Sequence, residues 1–67
     1  MINIIVNGKG RQVPDRYSAE NLVTDMELTG HRVAMEVNRE IVPRSTYTGH
    51  WFVADDKIEI VSAIGGG

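Results

Sequence analysis

The run Ile2-Asn3-Ile4-Ile5-Val6 leads directly into Asn7-Gly8, and this junction constrains the chain more than any other. The run is apolar and β-branched, so it reads as a strand with at least one buried face. Ile2, Ile4 and Val6 share one side of that strand, while Asn3, Ile5 and Asn7 share the other. Asn-Gly is the strongest short hairpin signal because both residues tolerate positive φ. Residues 9–14 are therefore expected to return antiparallel. Pro14 has no amide donor, so it ends that strand or leaves it at a sheet edge.

A helix follows. Ser18 stands where an N-cap belongs, and Glu20 places a negative charge near the positive end of the helix dipole. Ala19, Leu22, Val23 and Met26 recur at i, i+3, i+4 and i+7, which makes one apolar stripe. Gly30 is the expected C-terminal stop, giving about three turns. Beyond it, Val33, Met35 and Val37 form one face of a third strand. Residues 40–43 read as a short extended piece closed by Pro43. Residues 44–49 are polar and read as a single helical turn or an irregular crossover. Trp51-Phe52-Val53 reads as a brief strand or strand approach with Phe52 inward, Ala54-Asp55-Asp56 as a turn, and residues 57–63 as the last strand. The first and last strands are the most apolar and β-branched, which suits a parallel pair at the centre of a sheet. The expected fold is α+β: a β-grasp (ubiquitin-like) roll, with a mixed four- to five-stranded sheet packed on one helix.

The chain has 67 residues, which makes residues 1–67 one small domain, with 63–67 an extended tail. A domain of this size buries only about 60% of the surface its unfolded chain exposes, leaving little stability for strained catalytic machinery. It contains no cysteine, which removes disulfides, thiolate metal sites and thiol nucleophiles, and favours a reducing, cytoplasmic setting. Met1 is followed at once by the first strand, with no basic n-region or cleavage motif, so no signal peptide is expected. No apolar run approaches the roughly 20 residues of a membrane span. A formal net charge of −2 gives no reason to expect nucleic acid as a partner.

Side chains suited to catalysis are few and scattered. His31 and His50 lack a metal-spaced companion and read as loop histidines. Asp55-Asp56 resembles a turn more than a metal pair, and Ser18 is accounted for as a cap. No metal site and no catalytic residue is expected. Trp51 is a partner-contact candidate because aromatic residues are enriched at interface centres, although it could equally cover the edge of a small core. Ile5, Val61 and Ala63 are further contact candidates on the sheet face away from the helix.

The chain ends Ile64-Gly65-Gly66-Gly67. Three glycines in a row lose more backbone freedom on ordering than any other residues, so they are not expected in the core. They could be a frayed terminus. They could also form a thin thread, with Gly65, Gly66 and Gly67 entering a narrow channel of another protein and presenting the Gly67 carboxylate.

The stretch Val33-Ala34-Met35-Glu36-Val37-Asn38-Arg39-Glu40-Ile41-Val42-Pro43-Arg44-Ser45, with Ile58-Glu59-Ile60-Val61 and the terminal Gly-Gly, closely resembles the ThiS family, sulfur carriers of thiamin (thiazole) biosynthesis. The resemblance covers essentially the whole chain. It departs at Arg39, where the family often has glycine, and at Ala54-Asp55-Asp56, where Asp-Gly-Asp is common. Both are turn positions that favour positive φ.

The resemblance implies that the protein is not itself an enzyme and binds no cofactor. A ThiF-like adenylyltransferase would use ATP to adenylate Gly67. A sulfur donor fed by a cysteine desulfurase would convert the adenylate to a thiocarboxylate, and thiazole synthase would accept the sulfur. Rival readings are a molybdopterin-synthase small subunit, a ubiquitin-like modifier conjugated through Gly67, and a β-grasp docking module with inert glycines.

Overall fold

The structure is a computed structural model that describes residues 1–63, with the side chain of Ala63 left out; residues 64–67 lie outside the described residues. Its elements are β1 (Ile2–Val6), β2 (Lys9–Val13), α1 (Ala19–Asp25), β3 (Arg32–Val37), β4 (Glu40–Ile41), a 3-10 helix (Arg44–Gly49) and β5 (Lys57–Ala63). The strands form one five-stranded sheet in the order β2-β1-β5-β3-β4. β1 and β2 pair antiparallel through the Asn7-Gly8 turn, in which both residues have positive φ, 51° and 83°. β1 and β5 pair parallel, and β3 pairs antiparallel with both β5 and β4. This mixed sheet with one helix on it is the β-grasp arrangement expected from the sequence.

The core lies between α1 and one face of the sheet. Ile4 and Val6 of β1, Met35 and Val37 of β3, and Ile58 and Ile60 of β5 are buried with Ala19, Leu22 and Val23 of the helix. These positions alternate along the strands and follow the expected stripe along the helix. Leu22 is wholly enclosed, so its truncation to alanine would cost about 2–5 kcal/mol, a large share of what a domain this small has. Among the described residues, no helix is long and apolar enough to cross a membrane.

The start of α1 follows the sequence closely. The Ser18 hydroxyl accepts from the Asn21 amide at 3.1 Å, and the Asn21 side chain accepts from the Ser18 amide at 3.0 Å, a reciprocal capping box. The end of the helix does not follow it. α1 has 7 residues and stops at Asp25, well before Gly30, with Met26 as its C-cap. Glu27 then takes φ 59°, its amide donates to Thr24 O at 3.0 Å, and the Leu28 amide donates to Val23 O at 2.9 Å. That is a Schellman motif with glutamate in the seat glycine usually holds. Gly30, φ 85°, serves the later turn into β3.

Two other segments resolve between the expected alternatives. The segment expected to be a polar helical turn or irregular crossover is a 3-10 helix, and it carries Tyr47, 1% exposed and part of the core. Trp51-Phe52-Val53 is the strand approach, with a single antiparallel bridge from Trp51 to Ser18; the Phe52 amide donates to Tyr17 O at 2.9 Å, and its ring is buried. The turns with family departures keep their geometry: Asn38 and Arg39 have φ 52° and 72°, and Asp55 has φ 69°. Arginine occupies the left-handed region there at a cost, because its Cβ crowds the backbone.

A side chain extends the central parallel pair. Beyond the last β1–β5 residue pair, the Asn7 amide donates to Ile58 O at 2.8 Å. The Asn7 carboxamide then takes the place of a further strand residue. Its Nδ2 donates to Ile60 O at 3.0 Å, and its Oδ1 accepts from the Ile60 amide at 2.8 Å.

Three outcomes follow from these contacts. Asn7→Asp keeps the acceptor but loses the donor and sets a carboxylate against the Ile60 carbonyl, so urea unfolding should show a loss of about 1–3 kcal/mol. Glu27→Gly relieves the left-handed strain and should raise stability by about 0.5–1 kcal/mol in the same measurement. Burial, reinforced by a hydrogen bond to the Asp25 carboxylate, pushes the Tyr17 phenol up from 10.0 to about 12. The folded state therefore favours the neutral phenol. That contribution is full below pH 10 and is lost as pH rises toward 12, so Tyr17→Phe should flatten the fall in melting temperature over this range.

Candidate functional site

Polar groups that could be mistaken for catalysts are committed to structure. The Ser18 hydroxyl caps α1. Asp56 is buried and accepts from Asn38 Nδ2 and from the Val53 amide, both at 2.9 Å, while Asn38 Oδ1 accepts from the Lys57 amide at 3.0 Å. This clamp joins the β3–β4 turn to the start of β5. His50 is half-buried with its ring edge-on to Phe52, centroids 5.6 Å apart, and its carbonyl accepts from the Ala19 amide at 2.9 Å. His31 is exposed, and its carbonyl accepts from Arg44 at 3.2 Å. Among the described residues, no three His, Asp or Glu side chains come together where they could hold a metal ion. Burial pushes the Tyr47 phenol up as well, which favours its neutral form.

The contact candidates fall into two places. Val61 stands on the outer face of β5, 63% exposed, opposite Ala34 of β3. Ile5 is half-buried on the outer side of β1, in register with Lys57. Ala63 is paired with Arg32, and its side chain lies outside the described residues. Val61 and Ile5 belong to one side of the sheet. Between Val61 and Ile5, Lys57, Glu59 and Glu36 make that side charged.

Trp51 is elsewhere. It is 54% exposed and lines a groove with Ile41, Val42, Pro43, His50 and Val53. Asp56 also lines this groove, which places it at the beginning of β5, whereas Val61 lies toward the other end. From Asp56 to Ala63 an extended chain runs about 23 Å. Trp51 and the last residues of β5 are therefore not one surface. Ile41 and Val53, 76% and 63% exposed, are the neighbours that sequence reasoning did not associate with Trp51. The only signal for them was an apolar residue in a two-residue edge strand and a valine just before a turn.

Gly65, Gly66 and Gly67 lie outside the described residues. What is described is the strand leading to them. β5 is the central strand of the sheet, with β1 on one side and β3 on the other. Any pull on the residues after Ala63 is borne by the best-anchored strand in the molecule.

Comparison with known proteins agrees with this geometry. The chain is 36% identical over 66 residues to a thiazole synthase of Paramagnetospirillum magneticum, an alignment that covers 98% of this chain. It is 33% identical to a thiazole synthase of Magnetococcus marinus. The chain spans only 20% of the length of each of these proteins. An uncharacterized protein, ycf40 of Porphyra purpurea, is 27% identical and is 93% covered. The crystal structure of the thiamine biosynthesis protein ThiS from Geobacter metallireducens superposes with a TM-score of 0.80 at 25% identity, covering 98% of this chain and all of that one. The ThiS family model matches residues 4–67, which takes in β1 from Ile4 onward, the other four strands and the terminal glycines together. On this match and the shared fold, the chain belongs to the ThiS family.

Proposed function

We propose that the protein is a sulfur carrier for thiamin biosynthesis, with the Gly67 carboxylate as the site where sulfur is attached. The observation that carries this reading is the family match over residues 4–67, which joins the fold and the terminal glycines in one unit.

The chemistry suits a chain with no catalytic constellation of its own. A carboxylate is a poor electrophile. In the active site of a ThiF-like adenylyltransferase, a Gly67 oxygen attacks the α-phosphorus of ATP and pyrophosphate leaves, giving an acyl-adenylate. Hydrosulfide, or its equivalent from a donor fed by a cysteine desulfurase, then adds to the carbonyl. AMP departs, and a thiocarboxylate remains. Glycine puts no side chain beside that carbonyl, and Gly65 and Gly66 keep the approach narrow enough for a channel. Thiazole synthase receives the sulfur, and the identity with two proteins of that name supports this partner. The folded body is the handle, and the catalytic groups belong to the enzymes that hold it.

Intact-mass measurement tests the reading. After incubation with ATP, the adenylyltransferase and a sulfide source, one oxygen should be replaced by sulfur. Deletion of Gly67 should abolish the change and leave the melting temperature unaltered. An unmodified wild-type mass would refute the carrier role, and an adduct with a target protein would make the chain a modifier instead.

A further inference from the structure

The last part of β5 has an open side. Along a strand, backbone groups of alternate residues face opposite neighbours. Ile58 O and both backbone groups of Ile60 face β1, where they meet the amide and carboxamide of Asn7. Ser62 has the same parity, so its N–H and C=O face the same side. There β1 has already turned away at Asn7-Gly8, and among the described residues no strand pairs with β5 at Ser62 on that side. On its other side β5 remains paired with β3, through Val61 with Ala34, Ser62 with Val33 and Ala63 with Arg32. β4 covers β3 only at Glu36 and Val37. The ends of β3 and β5 thus extend past the rest of the sheet as a two-stranded ribbon.

We infer that the open edge of β5 at Ser62 is where an extended segment of thiazole synthase adds as a further strand; this rests on the carrier reading above. Main-chain bonds to Ser62 would supply the attachment, and the exposed Val61 beside it would supply apolar contact. The other sheet edges suit the role less well. β2 carries Lys9 and Arg11 and is followed by Pro14, the charges and ring that discourage edge pairing, and β4 has 2 residues. The edge at Ser62 has no such guard.

The choice of occupant follows from the relatives. Proteins named thiazole synthase contain a stretch matching 98% of this chain as 20% of their length, so a stretch like this chain occurs within proteins of that name. Position follows from the sequence beyond the edge. Gly67 lies five residues after Ser62, a reach of at most about 17 Å. A strand added at Ser62 would therefore hold the Gly67 terminus within that distance of the added segment.

Binding of the full chain to thiazole synthase, measured without ATP or sulfide, tests the edge independently of thiocarboxylate chemistry. Exchange of the Ser62 amide hydrogen should slow when the enzyme is added. Ser62→Pro removes that N–H on the side the fold does not use, so it should melt near the wild-type temperature yet bind about tenfold or more weakly. Ser62→Ala should bind normally. Unchanged Ser62 exchange in a complex that forms would overturn the inference, as would full-strength binding by Ser62→Pro. Protection by the adenylyltransferase but not by thiazole synthase would overturn the choice of occupant. Should Ser62→Pro fail to fold, exchange in the wild type decides. A protein that binds in this way yet never gains sulfur would refute the carrier reading and leave the edge established.

Discussion

The parallel pairing of β1 with β5 holds the two ends of the chain together, and the rest of the structure depends on it. It is a long-range contact with few residue pairs, so each bond in it counts. Loop-closure entropy for nearly the whole chain must be overcome before any of these bonds forms. The pair succeeds because both strands are β-branched and present Ile4, Val6, Ile58 and Ile60 to the same core. The Asn7 carboxamide then lengthens the ladder without lengthening β1. A single residue therefore makes the hairpin turn and also clasps the central strand.

The same economy runs through the polar side chains of the described surface. Asp56, Asn38, Ser18 and Asn21 all hold backbone amides or each other. Among the described residues, no buried side-chain nitrogen or oxygen is left without a hydrogen-bond partner. In a chain of 67 residues with so little core, polar side chains are occupied in closing turns and capping one helix.

Much of the fold was legible in the sequence, because most of its elements announce themselves locally. Asn7-Gly8, the Ser18 cap, the stripe through Leu22 and Val23, and the β-branched first and last strands all stand where their residue types place them. What could not be read depends on tertiary context. The helix stops at a glutamate in the left-handed region, a conformation no propensity would assign to Glu27, and Leu28 packs against the core to hold the turn. Tyr47 is flanked by threonines and shows no apolar period, yet a 3-10 helix turns its ring inward. For the site, the exposed Trp51 was legible from the inward register of Phe52. Its separation from Val61 was not, since only the strand register shows that they lie toward opposite ends of β5.

The clasp at Asn7 also ties the lifetime of the sheet to the durability of one carboxamide. An asparagine followed by glycine is the sequence most given to cyclising: the next amide nitrogen attacks the side-chain carbonyl, ammonia is expelled, and water opens the imide to aspartate or isoaspartate. Here the leaving amide nitrogen is the one bonded to the Ile60 carbonyl, so the fold resists the reaction only while the central pair is closed. Each transient opening exposes the bond to ageing, and a molecule that has aged there has lost the donor that would close it again.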